Sequence, residues 1–242
     1  MSIAGANAIL DGLNGREAEA LQAVARDVPL ERGAVIAELG EPAPYVYFPT
    51  RGVLSLVGST SGGATVEVAV VGSEGVASLS AALGGDWPPY RVLTQVPGRA
   101  IRVPTEIVLS VLNDFGEMHH RMLDYAQQLI AQVAQSAVCN RFHNARQRLA
   151  RWLLMTADRA GTNELPLTHE FISSMVGGPR SAVTEAAAEL RQAGSIDYRR
   201  GLITVCSHDR LRAQACECYE LADARNRRRN GASAAARYRE PA

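Results

Sequence analysis

Residues 177–194 read GGPRSAVTEAAAELRQAG. Arg180, Ser181, Thr184 and Glu185 crowd hydrogen-bonding groups into the front of a helix whose apolar residues Val183, Ala186, Ala187 and Leu190 recur at helical spacing. A guanidinium offers a planar fork of donors, hydroxyls donate and accept, and a carboxylate only accepts. Held together at one helix end, such a set can read the donor and acceptor pattern that base pairs display in the major groove of DNA. The front of the helix is free to hydrogen-bond, and the back packs.

The neighbouring elements must hold that front in place. HEFISSMV (169–176) reads as a short helix capped by Thr168, with Glu170 in its first turn. Gly177-Gly178 ends it, and Pro179 opens the next helix where its missing N–H costs little. Two short helices joined by a glycine-containing turn predict a helix-turn-helix, whose second helix enters the major groove. SIDYRRGLITV (195–205) then predicts a β-hairpin wing with Arg199 and Arg200 at its tip. Arginines there suit phosphate contacts, which set affinity and register but carry no sequence information.

Further upstream, Ala18, Leu21, Val24, Ala25 and Val28 form a helical stripe over residues 15–28. From Val35 to Val103 the period shortens. YVYFP, GVLSLVG, TVEVAVVG, VLTQV and RAIRVP are β-branched runs separated by the turn clusters EPAP, TSGG, GGDWPP and PG. Many short strands with glycine turns predict a β-roll of jelly-roll type. After Pro104 the helical period returns, and apolar residues from Val111 through Phe115 to Ala137 form one seam. The seam reads as a dimer interface carried by Met118, Met122, Ala126, Leu129 and Val133, with packing on the chain's own β-domain as the alternative. NRFHN (140–144) reads as a hinge with Asn144 as a helix cap, and ARQRLARWLLMTADR (145–159) as a second amphipathic helix.

The class is therefore α+β. A β-roll spans 1–103, a dimerisation helix 104–139, a winged helix-turn-helix 140–207, and a C-terminal helix with a basic tail 208–242. The chain length of 242 residues favours more than one domain, and 47% apolar residues suffice for sizeable cores. All 25 basic residues are arginine and the formal net charge is zero, so any nucleic-acid contact must come from local patches. No stretch reads as a secretion signal or a membrane span, and cysteines at 139, 206, 216 and 218 are no disulfide framework, which fits the cytoplasm. No nucleophile elbow, paired carboxylates or phosphate-cradling loop suggests an enzyme; GSEG and TSGG read as hairpin turns.

Residues 20–207 resemble the Crp/Fnr family of transcription regulators, most specifically in LTHEFISSMVGGPRSAVTEAAAELRQAGSIDYRRGLITV. The resemblance implies a cyclic-nucleotide-binding-type β-roll, a dimerisation helix and a winged helix on double-stranded DNA. It places Arg180, Ser181, Thr184 and Glu185 at bases and Thr168 near a phosphate. It extends the partners to a second copy of the chain, RNA polymerase and an unidentified small-molecule effector. The alternative is a small-molecule or redox-responsive signalling module with little DNA specificity.

The chain departs from cyclic-AMP-binding members of that family. Where they carry a ribose-gripping glutamate, Val76 or Ala77 stands; Arg91 matches the phosphate-neutralising arginine, but Val92 follows it in place of a hydroxyl residue. Val133 and Ala134 stand where those members place polar side chains against adenine. Losing the charged partner of a ribose hydroxyl removes roughly 1.5–3 kcal/mol, so cyclic AMP is not the expected effector and Arg91 is its weakest remaining trace. The N-terminal cysteines that hold an iron–sulfur cluster in Fnr-like oxygen sensors are missing here.

No metal or cofactor is expected. His119 and His120 are adjacent, which points them about 100° apart on a helix, and with His143 and Cys139 they read as solvated polar positions. Cys216 and Cys218 fall on an expected C-terminal helix, where i,i+2 residues do not face each other, so they read as buried packing with a thiol sensor as the alternative. The arginine-rich tail ARNRRRNGASAAARYREPA (224–242) reads as a basic extension able to touch phosphates non-specifically.

Overall fold

The computed structural model describes residue 3, residues 5–85 and residues 87–221. The arginine-rich tail lies outside the described residues.

Helix α1 (Gly15–Val24) starts at a capping box in which Asn14 and Glu17 satisfy each other's backbone N–H groups. It stops at Ala25, earlier than the apolar stripe predicts, and the chain turns extended as β1 (Arg26–Leu30). Val28 therefore belongs to a strand. Pro29 is accommodated there because β1 lies at the edge of the sheet, where a missing donor breaks no inner ladder.

Strands β2 (Val35–Ala37), β3 (Tyr45–Ser59) and β4 (Thr65–Val71), the short helix α2 (Leu79–Ala82) and strand β5 (Arg91–Pro104) complete the N-terminal unit. The five strands form one antiparallel sheet in the order β1-β5-β3-β4, with β2 also on β5. The sequence runs YVYFP and GVLSLVG are one continuous β3, and VLTQV and RAIRVP one continuous β5. The expected turn at Pro97-Gly98 is instead an irregularity within β5: the β3–β5 register shifts around Arg51, which pairs with Arg99. A Cβ on Gly98 would overlap the Arg51 carbonyl, and Gly52 has φ +83°, so glycine permits the close crossing that bends both strands.

Helix α3 (Thr105–Asn113) leads to α4 (Glu117–Phe142), the longest helix. The break at Phe115, a left-handed residue with φ +53°, splits the seam read as continuous from Val111. One core joins the β-domain to α1, α3 and the inner face of α4, with Phe48, Leu56, Val103, Met118 and Met122 fully buried in it.

The C-terminal unit comprises α5 (Ala145–Ala160), β6 (Glu164–Leu165), α6 (His169–Val176), α7 (Arg180–Gln192), β7 (Ile196–Arg199), β8 (Leu202–Val205) and α8 (His208–Gln214). Asn144 caps α5 as expected, in a capping box with Gln147. The wing has a third strand, because β6, inside what read as a loop, pairs with β8. A second core runs from Leu149, Leu153, Ile172, Val183 and Leu190 onto Val53, Val57, Val70 and Val96 of the sheet. The winged helix thus rests on its own β-domain through α5 and α6, where Thr65 of β4 donates to the Ser174 carbonyl at 3.2 Å.

Candidate nucleic-acid interface

Helix α6 begins where the Thr168 hydroxyl accepts from the Phe171 backbone N–H, and it ends at Gly177 with φ +74°. Gly178 follows at φ +108°, and Arg148 of α5 donates to the Gly177 carbonyl at 2.9 Å, fixing the turn from behind. Pro179 is the N-cap of α7, so Arg180 is its first helical residue. Val183, Ala186, Ala187 and Leu190 are buried against α5 and α6, whereas Arg180, Ser181, Thr184 and Glu185 are exposed. The Thr184 hydroxyl donates to the Arg180 carbonyl at 2.9 Å, leaving its lone pairs outward.

The wing is fastened beside this helix pair. His169, in the first turn of α6, packs its ring at a tilt against Tyr198 of β7, with ring centroids 4.2 Å apart. Burial first, and then the Arg180 charge, lower the His169 pKa and favour its neutral ring. At the tip, Arg200 takes a left-handed φ of +47° next to Gly201, and Gly201 lies against Thr168. Thr168, Arg199 and Arg200 are exposed.

The two wing arginines differ. Arg199 pairs with Asp197 at 2.9 Å, and Arg191 of α7 pairs with the same carboxylate at 3.0 Å. The Tyr198 backbone N–H, and after it these two charges, hold Asp197 below the usual carboxylate range. Arg200 makes no ion pair among the described residues. The structure therefore gathers Thr168, Arg180, Ser181, Thr184, Glu185, Arg199 and Arg200 onto exposed ends of α6, α7 and the wing. A guanidinium and hydroxyls at a helix front, flanked by a cationic hairpin, have the donors to meet base edges and phosphates together.

The seam residues need correction. Met118, Met122 and Leu129 are buried in the chain's own β-domain core, and Ala126 is half-buried against it. Val133 alone among the five is exposed, at 36%. Besides Val133, the apolar residues that α4 leaves in solvent are Leu123, Ile130, Ala134, Ala137, Val138 and Phe142. The helix has two apolar faces. Regular spacing identified a face but not its partner.

In the β-domain, Val76 and Ala77 are fully buried core residues. Tyr125 of α4 presses its ring onto Gly75, where a Cβ would overlap it. Arg91 is exposed and paired with Glu38 at 2.7 Å. The loop around Gly75 is thus packed with aromatic and aliphatic side chains.

Cys216 and Cys218 are buried as expected, but α8 ends at Gln214, Cys216 lies in the non-helical break after it, and Cys218 opens a further helical turn that reaches Leu221. Because the helix is broken at residues 215–217, the two side chains are not held apart by helical spacing, and both sulfurs converge on Cys139 and His143 at the end of α4, within 4.8 Å of one another. The reading of Cys139 and His143 as solvated polar positions fails for both. Sequence offered only the i,i+4 pair Cys139/His143 and the Cys-Glu-Cys spacing as signals, 73 residues apart from His143 to Cys216.

Residues 147–214 match the Crp-like helix-turn-helix domain family, and residues 27–115 match the cyclic nucleotide-binding domain family. The global nitrogen regulator of Synechococcus elongatus is 26% identical over 184 residues, 72% of this chain and 83% of that protein. Among solved structures, a transcriptional regulator of the Crp/Fnr family from Eubacterium rectale superposes with a TM-score of 0.65 at 19% identity, covering 84% of this chain and 94% of the other. FixK2 from Bradyrhizobium japonicum gives a TM-score of 0.66 at 18% identity, covering 80% and 98%. At such identities the solved structures establish the fold, and the two domain matches fall on its β-roll and its helix-turn-helix. The chain thus carries a cyclic nucleotide-binding domain followed by a Crp-like helix-turn-helix domain, on a fold shared with transcription regulators of the Crp/Fnr family.

Proposed function

We propose that this regulator binds an inverted-repeat operator as a homodimer, with α7 as the recognition helix. One observation carries the reading: the exposed polar front of α7 lies on the same side of the domain as the wing tip and the start of α6. In this reading Arg180, Ser181, Thr184 and Glu185 read bases, and Thr168, Arg199 and Arg200 hold phosphates. Arg200, free of Asp197, is the stronger phosphate ligand of the two wing arginines.

The second copy docks along the solvent face of α4. Leu123, Ile130 and Ala137 recur there at heptad spacing, with Val133 and Ala134 between them, and Ile130 is 70% exposed. A two-fold dimer built this way presents recognition helices about 34 Å apart, matching half-sites one helical turn apart. The unit works in the cytoplasm without enzymatic activity, with RNA polymerase as a further partner and an effector other than cyclic AMP. Val76, Ala77 and the Tyr125 ring, filling the nucleotide loop, support that last point.

Genome-wide mapping of bound DNA tests the reading. A recurring inverted repeat under the bound peaks is the expected result. Uniform occupancy without a shared sequence would leave a regulator that holds DNA without reading it.

A further inference from the structure

The end of α4 and the segment after α8 meet at four potential ligands. Cys139 lies in the last turn of α4, and His143, the extended residue that caps the helix, donates its backbone N–H to the Cys139 carbonyl. Cys216 and Cys218 approach from the chain that follows Ala215. The Cys139 and Cys216 sulfurs are 3.5 Å apart, and the Cys218 sulfur is 3.5 Å from Nδ1 of His143. A tetrahedral zinc ion with ordinary bond lengths sets sulfur–sulfur edges of about 3.8 Å and sulfur–nitrogen edges of about 3.5 Å. The four ligand atoms, all within 4.8 Å of one another, enclose a space of that size. An iron–sulfur cluster interposes several atoms between its thiolates and needs a wider cage.

The surroundings are those of a metal site. Nε2 of His143 meets the Glu217 carboxylate at 3.2 Å, so the ring is oriented with Nδ1 toward the sulfurs. Carboxylates commonly hold metal-bound histidines in this way. Gln135 donates its amide N–H to the Cys218 sulfur at 3.0 Å. Arg151, 7% exposed and in no ion pair among the described residues, lies close enough for its charge to act on Cys139. Three thiolates around a divalent ion leave one net negative charge, which a buried guanidinium offsets. Packing alone asks for none of these polar partners.

We propose that Cys139, His143, Cys216 and Cys218 bind one zinc(II) ion, which staples the end of the long helix to the segment beyond the winged helix. On binding, each cysteine releases its thiol proton and coordinates as thiolate, and His143 binds through Nδ1. The staple brackets the α4–α5 joint at Asn144, so it fixes how the DNA-binding unit is carried on the helix.

The full-length chain, purified under reducing conditions without chelator, should contain about one zinc per chain by elemental analysis. After stripping, titration with cobalt(II) alone should give thiolate-to-cobalt charge-transfer absorption and the visible bands of a four-coordinate ion. Cys218→Ser and His143→Ala should lose the zinc, while Cys206→Ser, altering an exposed thiol outside the cluster, should keep it. Glu217→Gln leaves all four ligands and should weaken zinc about tenfold; it decides the matter if Cys218→Ser does not fold. A wild-type chain that purifies metal-free and gives no cobalt bands would overturn the proposal. So would iron–sulfur absorption, or a Cys139–Cys216 disulfide in freshly prepared protein.

Discussion

Trp152 of α5 donates its indole N–H to the Glu67 carboxylate of β4 at 2.7 Å, in the buried seam between the winged helix and the β-domain. Ser55 donates to the other oxygen of the same carboxylate. Nearby, Gln95 donates to Thr156 at 2.7 Å, and Arg159 pairs with Glu74 at 2.7 Å, so polar contacts ring the apolar one.

The first prediction follows from Glu67. Burial pushes its carboxyl up to about 8, against hydrogen bonds from Ser55 and Trp152 and the charges of Arg151 and Arg159. The folded chain therefore keeps a proton that the unfolded chain releases near 4.5. The stabilisation is full below about 4.5 and is lost as pH rises through about 8. Glu67→Gln keeps an acceptor for Trp152 and cannot ionise. Thermal unfolding across that window should show wild type losing stability relative to the variant as pH rises. Parallel curves would mean that Glu67 does not titrate there.

The second prediction separates the two faces of α4. Ile130→Glu should give a folded monomer, because Ile130 is exposed in the chain and faces the proposed second copy. Leu129→Glu should instead unfold the β-domain, since Leu129 is 6% exposed within its core and a charge there has no partner. Light scattering and circular dichroism together distinguish these outcomes. An Ile130→Glu variant that remains dimeric places the interface elsewhere.

Base reading and phosphate holding are separable by salt. Arg180→Ala should cost about 1–3 kcal/mol on the operator and relax preference at one base position per half-site. Arg200→Ala should weaken operator and scrambled DNA alike and reduce the salt slope by about one per arginine lost. Arg199→Ala should do less, because Asp197 already holds that guanidinium. Equal losses on both DNAs for Arg180→Ala would remove it from the base-reading set.

Cyclic AMP should bind no better than about 10 μM, near −7 kcal/mol. Val76 and Ala77 are apolar core, Tyr125 covers Gly75, and Arg91 is engaged with Glu38. Calorimetry with cyclic AMP and cyclic GMP measures this directly. Tighter binding of either would require the Tyr125 ring to move off the loop.

Elements with local signals were legible along the chain. The Thr168 and Asn144 caps, the glycine turn before Pro179 and the arginine-tipped hairpin depend on residues a few positions apart. The order of β-roll, long helix and winged helix-turn-helix could be read from them and from the changing hydrophobic period. Tertiary structure decided everything that depends on distant partners. Periodicity fixes which residues share a face of α4, but only the β-domain's position shows that Met118, Met122 and Leu129 face inward while Ile130 faces solvent. Pro97-Gly98, read as a turn, became an irregularity inside β5 because β3 and β5 pair on both sides of it. Cys139 and Cys216 meet because the chain returns to the end of α4 after 77 residues, and no local pattern encodes such a return.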